Sequence, residues 1–229
     1  MKHSSQIILL HGAIGAADQL EPLADELRSN GFDVHTLNFS GHGQTPFQND
    51  FGVKQFADEL KNFIKKNNLI QPTIFGYSMG GYVALYLASQ QDNLIGNIIT
   101  LGTKFEWSPE IAQQEIKMLD PKTIIEKVPK FAGVLQKRHG NNWELLLRRT
   151  KKMMVDLGND NLLNPSIFSK IKNKTLIGLA DNDTMVTIRE TERAISEITN
   201  ASYFGIRNSK HPIESVNLQE VIKVIRNSV

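Results

Sequence analysis

A serine flanked by glycines gives the strongest chemical signal in this sequence of 229 residues. Ser78 lies in the segment 76–81, GYSMGG, between a short apolar stretch at 73–75 and a nearly all-apolar stretch at 82–88. A strand, a tight turn and a helix in this order form a nucleophile elbow, in which the turn holds the serine in a strained backbone conformation at the helix N-terminus. We therefore predict that Ser78 is a nucleophile for acyl transfer. The alternative is a glycine-rich helix start capped by a serine.

Acyl transfer passes through a tetrahedral oxyanion, which needs preorganised backbone N–H donors. Beside an elbow, one donor comes from the residue after the nucleophile, here Met79, and the other from the loop after the first core strand. That loop contains Gly12 and Gly15, which allow it to fold back so that Ala13 presents the second donor. His11 in the same loop is expected to hold the loop in place and not to act as the base.

The general base is expected late in the chain, after the serine and an acid. Of the six histidines, His211 alone follows the last predicted strand and precedes the last predicted helix. The remaining histidines fall in a tail, in loops, in a strand or in a long helical interval. We predict that His211 deprotonates Ser78, the alternative being a surface histidine before a helix that starts with proline.

Short apolar runs alternate with helical patterns along the chain and are expected to position these residues. The runs, read as strands, are 7–10, 32–37, 73–75, 98–101, 175–179 and 202–206. They lack strict alternation, as strands covered on both faces do, so we predict an α/β fold with a doubly wound, mainly parallel sheet of about six strands. About 70 residues after residue 101 show helical stripes but no strand, which indicates an inserted helical lid. We expect a core at 1–103 and 171–229 and a lid at 104–170.

Three motifs together resemble the α/β-hydrolase superfamily over nearly the whole chain. Residues 11–13 (HGA) resemble its oxyanion loop, residues 76–81 its elbow, and residues 38–45 (NFSGHGQT) its Asp-x-Pro-Gly-His-Gly-x-Ser loop. Asn38 and Ser40 replace the usual aspartate and proline, a change expected to alter loop rigidity and not the chemistry.

The resemblance also implies where the acid lies. Residues 178–186 (GLADNDTMV) are similar to the family's Gly-Asp/Glu-x-Asp-x-x-Val turn, with one extra residue. Spacing back from Val186 selects Asp183 over Asp181, which would then be a turn former. The predicted triad is therefore Ser78, Asp183 and His211, with Asp183 orienting the histidine. Residues 211–214 (HPIE) resemble the family's histidine region, although Ser209-Lys210 stands where a glycine is usual.

The resemblance implies that the dehalogenase and epoxide-hydrolase branches of the superfamily carry aspartate at the elbow, so a serine there excludes them. What remains is cleavage of an ester, thioester, lactone or amide through an acyl-enzyme. The preferred interpretation is a carboxylesterase for a small or medium apolar ester. A thioesterase is one alternative. The short lid also resembles pimeloyl methyl-ester carboxylesterases and menaquinone-pathway cyclohexadiene synthases, so a lyase using the same triad is another. A small-molecule receptor on the same fold is the alternative from a different class.

Four apolar side chains near the site or in the lid are expected to bind substrate: Ile14, Phe105, Trp107 and Trp143. The alternative for residues of the lid is that they only pack it onto the body. No metal or organic cofactor is expected, and the partner would be a small ester or thioester.

The composition adds exclusions and a default location. A formal net charge of +2 is too small to indicate nucleic acid binding, and the basic run at 148–152 falls on a predicted amphipathic helix. The absence of cysteine excludes disulfides and thiol catalysis. Neither a signal peptide nor a membrane span is expected, so the predicted location is cytoplasmic, as a monomer or homodimer.

Overall fold

The computed structural model describes residues 5–91 and 93–229. Within them, six strands form one parallel sheet in the order β2-β1-β3-β4-β5-β6. The strands are β1 Gln6–Leu10, β2 Asp33–Leu37, β3 Thr73–Tyr77, β4 Ile98–Leu101, β5 Thr175–Ala180 and β6 Ala201–Ile206. The predicted parallel sheet of about six strands is confirmed.

Helices cover both faces of this sheet. Those of the body are α1 Glu21–Ser29, α2 Val53–Lys66, α3 Met79–Gln90, α9 Ile188–Glu197 and α10 Leu218–Arg226. Strand side chains alternate between the two faces: Ile8 and Leu10 pack with α2 and α3, whereas Ile7 and Leu9 pack with α1 and α10. Both faces of each inner strand are therefore buried, which explains the apolar runs without strict alternation.

A helical insert separates β4 from β5. Its helices are α4 Pro109–Glu115, α5 Pro121–Lys127, α6 Pro129–His139, α7 Trp143–Asn159 and α8 Pro165–Phe168. All of these helices except α7 have a proline in their first turn. At that position the N–H that proline lacks would have no partner inside the helix, so its absence costs nothing. Part of the insert has a small core of its own, with Leu135, Trp143 and Leu147 at its centre.

The chain enters the insert at the carboxyl end of β4, the edge of a parallel sheet where ligands bind, and returns to the sheet at the amino end of β5. α8 packs against α3 and α9, and its Phe168 lies in the main core of the body. The division of the chain at 103/104 and 170/171 stays a prediction.

Candidate active site

Ser78 lies at the sharp turn between β3 and α3. Its backbone has φ 51° and ψ −117°, a conformation that costs energy for a residue with a side chain. The surroundings impose it: the Ser78 N–H donates to the Leu101 carbonyl at 2.8 Å, and the Thr103 hydroxyl donates to the Ser78 carbonyl at 3.0 Å. A Cβ on Gly76 would lie 2.4 Å from the Cα of Gly81, so strand and helix approach this closely only because glycines meet there. Ser78 thus lies at a strained turn between a strand and a helix, and its role as nucleophile stays a prediction.

His211 and Asp183 form a close pair although they are 28 positions apart in the sequence. The Nδ1 of His211 lies 2.8 Å from Oδ2 of Asp183, and the Asp183 side chain is 1% exposed. The other carboxylate oxygen, Oδ1, accepts the N–H groups of Met185 and Val186 at 2.8 and 2.9 Å. Burial alone would raise the pKa of Asp183, but the hydrogen bond and charge of His211 and these two amides outweigh it, so the pKa is lowered. Asp183 is therefore held as a carboxylate that accepts the Nδ1 proton and leaves Nε2 as the basic nitrogen.

Two further residues fix the position of the His211 ring. The Tyr77 hydroxyl donates to the His211 carbonyl at 2.8 Å, and its ring lies 5.6 Å from the imidazole. Gly102, with φ +62°, lies beneath the pair: a Cβ there would be 3.2 Å from the imidazole and 3.3 Å from Oδ2 of Asp183. Sequence reasoning missed both roles, because a neighbour of the nucleophile and a glycine after a strand carry no local signal for a contact with residue 211.

Asp181 has a different role from Asp183. Its oxygens accept the N–H groups of Asn208 and Ser209 at 2.9 and 3.0 Å, which ties the end of β5 to the loop after β6. The amides of Ser209 and Asn208 lower the pKa of Asp181. These contacts fit the predicted turn former and leave Asp183 as the carboxylate next to His211.

The loop after β1 approaches the elbow and is strained at one residue. Ile14 has φ 52°, an outlier for a β-branched side chain. Within the described residues, the Ala13 N–H makes no hydrogen bond. Met79 is the first residue of α3, so its own N–H has no acceptor inside the helix. Both residues line the same cavity as Ser78. The two predicted oxyanion donors are therefore brought to one place.

His139, at the end of α6, connects the insert to two loops of the body. The Gly43 N–H donates to Nδ1 at 2.9 Å, so the proton is on Nε2, which donates to the Ile14 carbonyl at 2.8 Å. Desolvation by burial lowers the pKa of His139, which keeps the ring neutral as this bridge requires. Through this bridge, a side chain of the insert restrains the backbone of Ile14. Sequence reasoning placed His139 only within the lid.

His11 and His42 lie beside this bridge, and both are fully buried. His11 donates through Nδ1 to the Gly12 carbonyl at 2.8 Å and accepts the Phe39 N–H on Nε2 at 3.2 Å. Burial lowers the pKa of His11 to about 4 and that of His42 well below its ordinary value. Neutral His11 thus connects the loop after β1 to the loop after β2, as the sequence predicted for a residue that holds the loop.

A cavity of about 60 Å³ lies where these parts meet. Its walls include Ser78, His211, Ala13 and Met79, covered by side chains of α4 and α7. No hydrogen bond joins the Ser78 hydroxyl to the His211 ring in the described part of the chain, although both face this space. Such catalytic hydrogen bonds often form only when substrate is bound.

One wall of the cavity is polar. Lys104 lies 3.2 Å from Glu115 and donates to the Met185 carbonyl at 3.0 Å, and both side chains are about four-fifths buried. Trp107 lies beside them, and its indole nitrogen is buried with no hydrogen-bond partner among the described residues. Sequence reasoning did not single out Lys104 or Glu115, because their pairing depends on how the end of α4 folds back to the segment after β4.

The residues predicted to bind substrate fall into two groups. Trp107 lines the cavity. Phe105 packs against Phe168 in the main core, Trp143 lies in the core of the insert, and Ile14 packs against that core. These three residues are not among the cavity's lining residues. Packing within the protein is enough to explain why they are buried, and their contact with substrate stays a prediction.

Within residues 5–91 and 93–229, no helix is both long and apolar enough to span a membrane. No group of three or more potential metal-ligating side chains is found there either.

A family model and several known proteins match the chain. The chain belongs to the alpha/beta hydrolase fold family, whose model Abhydrolase_1 matches residues 6–122. Among curated proteins, ethanol acetyltransferase 1 of Hanseniaspora uvarum is 27% identical over 109 residues, which is 46% of this chain and 32% of that protein. The sn-1-specific diacylglycerol lipase ABHD11 of Mus musculus is 26% identical over 96 residues, 42% of this chain and 31% of that protein. The match therefore spans about a third of each relative's length.

Solved structures resemble the chain over nearly its full length. MenH from S. aureus superposes with a TM-score of 0.78 at 20% identity, covering 99% of this chain and 94% of that one. The enol-lactonase from Burkholderia xenovorans LB400 gives a TM-score of 0.76 at 15% identity, with coverages of 99% and 92%. At such identities the likeness establishes the fold, and the resemblance inferred from the motifs is confirmed at that level.

Proposed function

We propose that this chain is a serine hydrolase that cleaves small, apolar carboxylic esters through an acyl-enzyme on Ser78. The observation that carries the proposal is the His211–Asp183 contact of 2.8 Å beside the cavity that also contains Ser78. A histidine with a buried carboxylate on Nδ1 and a serine hydroxyl on its other side is the arrangement that activates an alcohol for attack on a carbonyl.

In the first half-reaction, Nε2 of His211 takes the Ser78 proton while the serine oxygen bonds to the ester carbonyl carbon. Asp183 stabilises the imidazolium that forms. The carbonyl oxygen becomes an oxyanion that accepts the N–H groups of Met79 and Ala13, and the start of α3 favours its negative charge. The bond to the alcohol oxygen then breaks, His211 donates its proton to that oxygen, and the acyl group remains on Ser78.

In the second half-reaction, His211 takes a proton from water as the water oxygen attacks the acyl carbon. The same two N–H groups hold the second oxyanion. The bond to the Ser78 oxygen breaks, the proton returns to that oxygen, and the carboxylic acid leaves. The protein groups end as they began.

The size of the cavity supports the smaller end of the predicted substrate range. About 60 Å³ of space accommodates a few water molecules or a short acyl group. Its methionine, valine and leucine walls favour an apolar group, and the Lys104–Glu115 pair offers donors and acceptors without net charge.

The proposal is tested by turnover of p-nitrophenyl acetate and butyrate by the wild type and by Ser78→Ala. We expect the substitution to reduce turnover about 10⁶-fold or to background, because serine and histidine act as a unit. Equal rates for the two proteins would contradict hydrolysis at Ser78 and favour a receptor that only binds. Thioester and amide analogues of the same acyl groups, run alongside, test the thioesterase alternative.

Transfer of the acyl group to an alcohol is a second candidate, favoured by the similarity to ethanol acetyltransferases. An enclosed apolar site excludes part of the bulk water, so an alcohol can compete for the acyl-enzyme. Added ethanol should then give ethyl ester from p-nitrophenyl butyrate in a Ser78-dependent manner, measured by gas chromatography. Release of butyric acid alone at high ethanol concentration would restrict the activity to hydrolysis.

A further inference from the structure

A second, larger depression lies next to the cavity at Ser78. This outer groove, of about 770 Å³, runs between residues 49–55 and α7 and does not contain Ser78. The two spaces share three lining residues, Val53, Met153 and Leu157. These side chains therefore form a partition with the small cavity on one side and the outer groove on the other.

The partition is apolar and tightly packed. Val53, Met153 and Leu157 are all buried, with Met153 only 5% exposed. The Cγ of Met153 lies 3.7 Å from where a Cβ on Gly52 would be, so the methionine closes against the backbone at the start of α2. Valine and leucine are branched, whereas methionine is unbranched, with several rotatable bonds, and fills or vacates such a gap at low cost. Met153 is the member of the partition best able to move.

The outer groove differs in chemistry from the inner cavity. Its walls carry carboxylates, among them Asp58 and Asp156, as well as the cations Lys54, Arg149 and Lys152. Charges of both signs in an open groove solvate a polar group, whereas a bare alkyl chain gains only from the apolar part of the walls. A molecule spanning both spaces would have a short apolar part at Ser78 and a polar part in the outer groove.

We propose that Met153 determines the length of substrate that reaches Ser78, and that the outer groove receives the polar distal end of longer esters when this side chain moves aside. This inference rests on the proposed ester hydrolysis at Ser78 and names its substrate class: esters with a short apolar segment next to the reacting carbonyl and a neutral polar group beyond it. While Met153 closes the partition, these esters have a lower kcat/KM than short esters. The longer the part of the substrate that must pass this side chain, the lower the kcat/KM.

Two adjacent methionines allow a matched test. Met153 lines both spaces, whereas Met154 lines the inner cavity but not the outer groove. The experiment compares Met153→Ala and Met154→Ala on p-nitrophenyl acetate, butyrate, octanoate and an octanoate-length ester ending in a terminal hydroxyl. The measured quantity is kcat/KM for each long ester divided by kcat/KM for acetate.

We expect Met153→Ala to raise this ratio at least about tenfold for the hydroxyl-terminated ester, and by more than for octanoate, because side-chain volume in a pocket discriminates by such factors. Met154→Ala should enlarge the inner cavity without raising the ratio for either long ester. Val53→Ala, which opens the partition from the other side, should act in the same direction as Met153→Ala. It keeps the inference testable if Met153→Ala does not fold.

Three outcomes overturn the inference. One is an unchanged ratio in both partition variants, with wild-type acetate turnover still dependent on Ser78; this leaves the proposed function standing. Another is an equal increase in Met154→Ala, which would make cavity volume the determinant. The third is a wild type without any Ser78-dependent turnover, which ends the proposed function and the inference with it. Thermal unfolding of each variant shows whether it is folded.

Discussion

At the scale of single residues, the two aspartates near β5 show how environment decides a carboxylate's role. Asp183 is buried, touches His211 and has its second oxygen held by two amides. Asp181 is bonded instead to amides of the loop after β6. The same chemical group thus orients an imidazole in one place and closes a turn in the other.

Asparagine substitutions separate these two roles. Asp183→Asn should lower kcat for p-nitrophenyl acetate by about 10⁴-fold, because an amide favours the wrong imidazole tautomer and cannot stabilise the imidazolium. Asp181→Asn should change kcat by only a few fold and lower the melting temperature. Steady-state kinetics and thermal unfolding of both variants test this. A larger loss of turnover in Asp181→Asn would reverse the assignment.

Tyr77 provides a second test at this scale. Tyr77→Phe removes the donor to the His211 carbonyl and leaves a buried acceptor unsatisfied, which costs about 1–3 kcal/mol. If part of that cost appears as imidazole misplacement, kcat should fall about tenfold with KM little changed, because the proposed role of His211 is in the chemical step. A variant that only loses stability, with kcat unaltered, would show that Tyr77 does not position the base.

The sequence singled out the residues of this candidate site whose signals are local. Ser78 stands in a motif with its strand and helix, and His211 stands between the last strand and the last helix, so order along the chain was enough to select them. Their catalytic roles stay predictions. Tyr77, Gly102, Lys104 and Glu115 gave no such signal, since each acts through a contact with a segment distant in sequence. Asp183 was intermediate, because the resemblance gave the turn and spacing back from Val186 selected Asp183 over Asp181, while the contact with His211 depends on the fold.

At the scale of elements, α6 is attached to the body through its last residues. His139 bridges Ile14 and Gly43, Arg138 donates to Asp18 at 3.1 Å, and the Gln44 amide donates to the Arg138 carbonyl. The left-handed conformation of Ile14 persists only where its surroundings hold it. The insert therefore contributes to the loop that presents Ala13.

Replacing His139 tests this coupling. His139→Leu removes both hydrogen bonds and should lower kcat about tenfold or more, with a smaller effect on KM, because oxyanion donors act mainly in the transition state. His139→Gln, whose amide can both donate and accept, should restore most of the activity. Steady-state kinetics on p-nitrophenyl acetate test both variants. Equal kcat values for wild type and His139→Leu would contradict a positioning role.

The number and direction of the strands were predictable because each buried strand leaves an apolar run. The interval between β4 and β5 was predicted to be helical, and it is. The way it packs was not predictable: α8 lies against the body, and α4 turns back so that Glu115 meets Lys104. Amphipathic stripes show that a helix has a partner but do not identify that partner.

At the scale of the whole molecule, we expect three buried histidines to make folding sensitive to acid. The pKa values of His11, His42 and His139 all lie below the ordinary value near 6.5, with burial as the main cause. In the unfolded chain these rings bind protons near pH 6.5, whereas in the folded chain they do so only at lower pH. Stability is thus retained above about pH 6.5 and lost as the pH falls below it.

We expect the free energy of unfolding to fall by up to about 1.4 kcal/mol per histidine for each pH unit below 6.5. Urea unfolding at pH 7.5, 6.5 and 5.5, followed by tryptophan fluorescence, measures this. The variant His42→Phe keeps an aromatic ring against Phe51 and removes one titrating group. Its free energy of unfolding should therefore fall less steeply with decreasing pH, by the contribution of about one proton. Midpoints that do not change between pH 7.5 and 5.5 would contradict this explanation.

The central claim is that the Ser78 oxygen carries the acyl group during turnover. The most direct measurement is mass spectrometry of peptides after reaction with a fluorophosphonate, comparing wild type, Ser78→Ala and His211→Gln. We expect one adduct on the peptide containing Ser78 in the wild type, none in Ser78→Ala and strongly slowed labelling in His211→Gln. An adduct on another residue of the wild type, or labelling that His211→Gln leaves unchanged, would contradict it.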